Sequence, residues 1–177
     1  MIVLSILIAA VALLLLWWGH RQRVRNGLPS GRLVALDLHE GQRPPPLFSK
    51  RYRLAGRPDY LIRIGKEWIP VEVKTTRNLP QQPYEAHTLQ LLAYCLLVEE
   101  TYKVRPRYGY LHYRSRLPRD NVGYTFRIEF NEQSKRKLLE LLDQMRQAET
   151  CSNVSRSHQE AARCRVCSYA FLCDQKL

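Results

Sequence analysis

The chain has 177 residues, with 28 Lys or Arg against 16 Asp or Glu, a formal net charge of +12 and a pI near 9.8. That length leaves room for one ordinary domain with a small appendage, and so for one active site. The basic excess would repel itself in a compact chain; it points to a polyanionic partner or an anionic membrane surface, with a plain solvated surface as the alternative. Five unevenly placed cysteines are too few for a disulfide framework and direct attention to metal or cluster ligation. The absence of a Gly-x-x-x-x-Gly-Lys-Ser/Thr phosphate loop argues against a built-in ATP-driven motor.

Ile2 to Trp18 carry no charge, glycine or proline and reach roughly 26 Å as a helix. A cleaved signal peptide wants basic residues ahead of its apolar run, whereas here Trp17-Trp18 and then His20, Arg21, Arg23 and Arg25 follow it. Residues 1–19 therefore read as an uncleaved transmembrane anchor with the remainder on the cytoplasmic side, the alternative being a helix buried in a partner. Residues 20–49 contain Gly27, Pro29, Gly31, Gly41 and Pro44-Pro45-Pro46, a tether interrupted by a short predicted strand at Leu33 to Leu38.

A compact core is expected over residues 50–150. Arg51 to Ala55, Tyr60 to Ile64 and Trp68 to Val73 are β-prone, with Gly65-Lys66 at a hairpin turn, and together predict a small antiparallel meander. A loop with Asn78, Pro80 and Pro83 precedes a helix over Tyr84 to Glu100, spaced through Leu89, Leu92, Ala93 and Leu96. Strands follow at Arg107 to Tyr113 and Gly123 to Phe130, separated by a polar loop with Pro118 and Asn121. Asn131 then caps an amphipathic helix bearing Leu138, Leu139, Leu141, Leu142 and Met145.

Asp59 starts one arm of the predicted hairpin and Glu72-Val73-Lys74 ends the other, so the turn brings their functional groups together. Glu72 and Lys74, two apart on a strand, share a face, while Val73 points into the apolar interior and offers its carbonyl. Two carboxylates and a carbonyl (Asp59, Glu72, Val73) are hard oxygen donors suited to Mg²⁺ or Mn²⁺. Lys74 is then placed to orient or deprotonate a water and to offset charge on phosphorus. An Asp with a Glu-x-Lys is a weak pattern alone, but here the charges emerge from Ile69-Pro70-Val71, a strand that otherwise reads as core. One turn apart on the following helix, Gln90 and Tyr94 share a face with His87.

Gly56-Arg57-Pro58-Asp59, Val71-Glu72-Val73-Lys74-Thr75 and Gln90-Leu91-Leu92-Ala93-Tyr94 together resemble the PD-(D/E)XK nuclease superfamily, in particular its RecB-like exonuclease branch with a Gln-x-x-x-Tyr helix. The resemblance covers roughly Arg51 to Leu177. It implies an α/β fold, a restriction-endonuclease-like central mixed sheet flanked by helices. It further implies Asp59 and Glu72 as metal ligands, Lys74 as catalytic lysine, and Gln90 and Tyr94 beside the active site as DNA-binding candidates. The branch commonly adds an upstream histidine ligand; His20 and His39 are the candidates, and neither receives a role.

Residues 151–177 form a small tail carrying Cys151, Cys164, Cys167 and Cys173. Four thiolates suit an iron–sulfur cluster or zinc, which spacing alone does not separate. The Cys164-x-x-Cys167 pair followed by Cys173 resembles the C-terminal cysteine triplet of the CRISPR-associated Cas-four exonucleases, which implies a 4Fe-4S cluster. That family's fourth cysteine lies upstream of the aspartate, whereas this chain has none before Cys95, so Cys151 is taken as the substitute. Cys95 reads as a buried core thiol.

The expected activity is that of a membrane-tethered, Mg²⁺- or Mn²⁺-dependent DNA exonuclease acting on single strands or frayed ends, with CRISPR adaptation or DNA repair proteins as partners. Tyr108, Tyr110, Tyr113, Arg114 and Arg116 offer stacking and phosphate contacts, or are ordinary sheet residues. A structure-selective endonuclease is the alternative within the class, and a non-catalytic DNA-binding assembly subunit the alternative outside it. The joint presence of Asp59, Glu72 and Lys74 favours catalysis.

Overall fold

A computed structural model describes residues 10–15, 17, 32–33, 45–116 and 123–177. Most of the expected anchor, the basic residues behind it, His20, His39 and residues 117–122 lie outside these. Residues 10–15 and 17 are helical (α1), and among the described residues no helix is long and apolar enough to cross a membrane. The chain divides into two compact units, Met1–Leu139 and Glu140–Leu177.

The first unit is built on a mixed sheet of order β1-β4-β5-β6-β7, comprising β1 (Arg32–Leu33), β4 (Tyr60–Ile64), β5 (Glu67–Thr76), β6 (Tyr108–Ser115) and β7 (Gly123–Glu129). β4 and β5 form the predicted hairpin, Ile64 pairing with Glu67 across Gly65-Lys66. Gly65 has φ +61°, as a two-residue turn with glycine at its first central position requires. β5 and β6 run parallel, and the crossover between them is α2 (Glu85–Tyr102). Only β4 and β5 make the expected meander: the segment predicted at Arg51 to Ala55 instead yields β3 (Leu54–Gly56), paired with β2 (Leu47–Ser49) in a separate two-stranded sheet.

Alternation along β5 sorts the unit's interior into two clusters. Leu61, Leu111 and Tyr113 pack with Leu91, Tyr94, Leu97 and Val98 of α2 and with Leu47. Ile62, Ile69 and Val71 form the second cluster, with Val73, Tyr108 and Tyr110 against them. Leu47 is buried and Ser49 donates a hydrogen bond to Glu100 of α2 at 3.2 Å, so residues on both sides of Lys50 serve one packed unit. α2 is more deeply set than its predicted stripe implies: Leu91, Leu92 and the run Tyr94 to Val98 are all buried, as befits a helix enclosed nearly all round. Cys95 has no exposed surface, and burial pushes its thiol far up, in keeping with a core residue.

α3 (Glu132–Thr150) starts on the expected cap. Asn131 Oδ1 accepts the Ser134 N–H at 2.9 Å and Ser134 Oγ accepts the Asn131 N–H at 2.9 Å, a reciprocal pair that satisfies two N–H groups at the helix start. Of the apolar side chains predicted on its buried face only Leu138 is buried, and Met145 is 55% exposed. The second unit also contains α4 (Ala161–Arg165). Arg156 organises this tail, its N–H donating to Gln175 Oε1 and its Nε to the His158 carbonyl, both at 2.6 Å. Val166 and Phe171 are more than four-fifths exposed, so little of the tail's apolar surface is removed from water.

Candidate active site

Asp59 precedes β4, and continuing the Tyr60–Val71 register puts it opposite Glu72. Its Oδ2 accepts the Val73 N–H at 2.8 Å, which holds the carboxylate against the end of β5. Glu72 and Lys74 point to the face covered by α2. Lys74 Nζ donates to Glu72 Oε1 at 2.7 Å and to Gln90 Oε1 at 2.8 Å. The other end of the Gln90 amide donates to Glu72 Oε1 at 3.0 Å and to the Tyr94 hydroxyl at 2.7 Å. Gln90 thus reads a cation with its oxygen and an anion with its nitrogen, which fixes the orientation of the amide.

The expected set Asp59, Glu72, Lys74, Gln90 and Tyr94 is therefore brought together. Tyr94 is only 8% exposed, so its ring is core and its hydroxyl is a hydrogen-bond acceptor; it offers no stacking surface. Gly56 explains how the ring fits, because a Cβ there would lie 2.8 Å from Tyr94 Cε1. Val73 packs in the second cluster, its N–H taken by Asp59. The three tyrosines of β6 do not form one stacking platform: Tyr113 is fully buried beneath α2, while Tyr108 and Tyr110 lie on the opposite face.

Burial pushes the Glu72 carboxyl above the ordinary carboxylate range; the hydrogen bond from Lys74 opposes this, and the neighbouring Asp59 charge raises it further. Two carboxylates facing one ammonium leave a net negative, half-desolvated site of hard oxygens, and that donor chemistry fits Mg²⁺ or Mn²⁺. Asp59 and Glu72 are the side chains that would hold the ion.

Two residues beside this network carry more structure than their sequence positions foretell. His87, one turn before Gln90, has Nδ1 2.8 Å from the Tyr113 hydroxyl, and that oxygen also accepts the Tyr84 N–H at 3.1 Å. Burial and then the charge of Lys74 depress the His87 pKa. His112 is buried on the other face of β6, its Nδ1 2.8 Å from Thr125 Oγ1. Alternation could have separated Tyr113 from Tyr108 and Tyr110, but the His87–Tyr113 pairing needs the parallel β5–β6 register.

In the tail, Cys164 is buried and Cys151, Cys167 and Cys173 are exposed, all as free thiols. Cys164 Sγ accepts the Leu177 N–H at 3.5 Å, and the Cys167 N–H donates to the Cys164 carbonyl at 3.3 Å, a tight turn between the first two thiols. Among the described residues no three His, Cys, Asp or Glu side chains are gathered as a ligand set, so the structure does not bring the four cysteines together.

The profile of the PD-(D/E)XK nuclease superfamily matches residues 6–174, and the chain belongs to that superfamily. Among solved structures it is similar to one titled "Crystal structure of SSO0001", at 24% identity and a TM-score of 0.45 over 70% of this chain and 52% of that one. The chain thus spans about half the length of that protein. No curated protein matches it. The mixed sheet and the Asp59, Glu72 and Lys74 geometry agree with that membership.

Proposed function

We propose that this chain is a RecB-like DNA exonuclease, akin to the Cas-four family, that hydrolyses single strands or DNA ends with Mg²⁺ or Mn²⁺. The observation that carries the reading is the Asp59–Glu72–Lys74–Gln90 network, in which each side chain is held by another member or by the backbone. A bound divalent ion supplies polarisation of the phosphate and a lowered pKa for a coordinated water. Asp59 and Glu72 would hold it, with the Val73 carbonyl as third donor. Lys74, steered by Gln90, orients the attacking water and offsets negative charge that builds on the phosphodiester. Tyr94 locks Gln90 in place.

The remainder of the reading rests on sequence. The apolar stretch from Ile2 to Trp18 with arginines behind it supports a single-pass anchor with the nuclease on the cytoplasmic side. The spacing of Cys151, Cys164, Cys167 and Cys173, with the turn at Cys164 to Cys167, supports a 4Fe-4S cluster, with Zn²⁺ as the alternative metal. Proteins of CRISPR adaptation or DNA repair are the matching partners.

The test is cleavage of end-labelled linear and internally labelled circular single-stranded DNA with Mn²⁺. Wild type degrades the linear strand and spares the circle, while Asp59→Ala and Lys74→Ala each lose about a thousandfold in rate. Equal activity in all three proteins refutes the catalytic assignment, and cutting of the circle transfers it to an endonuclease.

A further inference from the structure

Tyr113 is fully buried, and its hydroxyl accepts the Tyr84 N–H at 3.1 Å. Among the described residues the phenol proton then has one acceptor nearby, His87 Nδ1 at 2.8 Å. Were Nδ1 protonated instead, both groups would present hydrogen to the same oxygen and the phenol proton would be stranded in the core. The relay from Tyr84 through Tyr113 to His87 therefore places the imidazole proton on Nε2. Among the described residues Nε2 has no hydrogen-bond partner, and the ring is half-exposed.

The location is specific. His87 shares a helical face with Gln90, which holds Lys74, and Tyr113 is the direct register partner of Lys74 on the parallel strand. Burial and then the charge of Lys74 lower the His87 pKa; a neutral ring offers a hydrogen-bond donor where a second full charge would repel the lysine. His87 also lies in the first turn of α2, whose backbone N–H groups favour a nearby anion.

We infer that His87 is a substrate-binding residue whose Nε2–H donates to a non-bridging oxygen of the DNA backbone beside Lys74, with Tyr113 as the positioning residue that sets its tautomer. This rests on the nuclease reading for the identity of the anion. It adds a phosphate contact on the Lys74 side of the site.

The experiment is long-range nitrogen–proton NMR on the full chain labelled with nitrogen-15 histidine in detergent solution, His87 being assigned from H87Q. The probes are a short oligothymidylate and the same oligomer with an uncharged methylphosphonate backbone. The Nε2–H tautomer is expected before addition, with a shift of the His87 Nε2 signal on adding the phosphodiester and little with the methylphosphonate. Tyr113→Phe should mix the two tautomers. H87A should raise KM about tenfold while kcat stays within a few-fold, the mark of a contact made before the chemical step.

An Nδ1–H tautomer in the wild type, or a His87 signal indifferent to both oligomers or moved equally by them, overturns the inference. A chain that shows the expected NMR response and cleaves no DNA keeps the phosphate contact and loses the nuclease reading. A chain that cleaves DNA while His87 stays silent loses only this inference.

Discussion

In the first compact unit, Asp59, Glu72, Lys74 and Gln90 are held by one another and by the backbone of β5, over a core that includes fully buried Leu91, Leu97, Leu111 and Tyr113. In the second, three of the four cysteines are exposed, and Val166, Tyr169, Phe171 and Leu172 remain largely in solvent. The first unit buries enough apolar surface to preform its site, so an ion arriving there adds chemistry to an existing fold. The tail is too short to do this; segments of that size are ordinarily ordered by a metal or a cross-link. On the proposed function, metal would serve activity in one unit and folding in the other.

The largest expected effect tests the tail. If the tail takes up iron or zinc as proposed, Cys167→Ser should release it and speed trypsin cleavage at Arg156, Arg163 and Arg165 by orders of magnitude, since metal binding and folding are one equilibrium in such segments. Metal analysis with limited proteolysis and mass spectrometry reads both, and the first unit should survive as a resistant fragment. Cleavage as slow as in wild type would mean that the tail is ordered without metal, and the contrast would fail.

A smaller effect belongs to the first unit. Gly56→Ala drives a methyl to 2.8 Å from the Tyr94 ring, and overpacking of this kind costs about 1–3 kcal/mol. Urea unfolding should show the loss, and DNA cleavage should fall with it, because Tyr94 holds Gln90. Undiminished stability would show that the Tyr94 contact is soft and the site less rigid than its hydrogen bonds imply.

The smallest effect concerns pH. Burial, and secondarily the Arg114 charge, hold the His112 pKa below 6.5, so the native state prefers the neutral ring. The contribution to stability is complete above the unfolded value of 6.5 and is lost as pH falls from there toward the lower folded value. The slope is at most about 1.4 kcal/mol per pH unit for one proton. Urea midpoints between pH 7.5 and 5 should decline in wild type and decline less in His112→Gln; parallel declines would assign the effect to other groups.

Local features of the fold were the legible ones. β4 is found at Tyr60–Ile64 as predicted, and the Gly65-Lys66 turn is where glycine allows it, because alternation and turn chemistry act over a few residues. α2 begins and ends within two residues of its predicted limits. Its burial was less legible: Leu91 and Leu97 join the core as fully as Leu92 and Leu96, since the sheet and the β2–β3 pair enclose it. Arg51 to Ala55 misled because the partner of β3 lies before it at Leu47–Ser49, behind a proline run that reads as linker.

The same division runs through the site. By itself the sequence determined that Asp59, Glu72 and Lys74 meet and that Gln90, Tyr94 and His87 share a face, because a hairpin turn, a two-residue strand period and a helical turn are local geometry. Only the tertiary structure decided what those faces meet. Parallel pairing of β5 with β6 sets Tyr113 beside Lys74, and α2 then lays Gln90 between Glu72 and Lys74 and His87 on Tyr113. Such pairings join residues up to 39 positions apart along the chain, and they depend on the register of a crossover connection, which packing of the whole sheet against its helix selects.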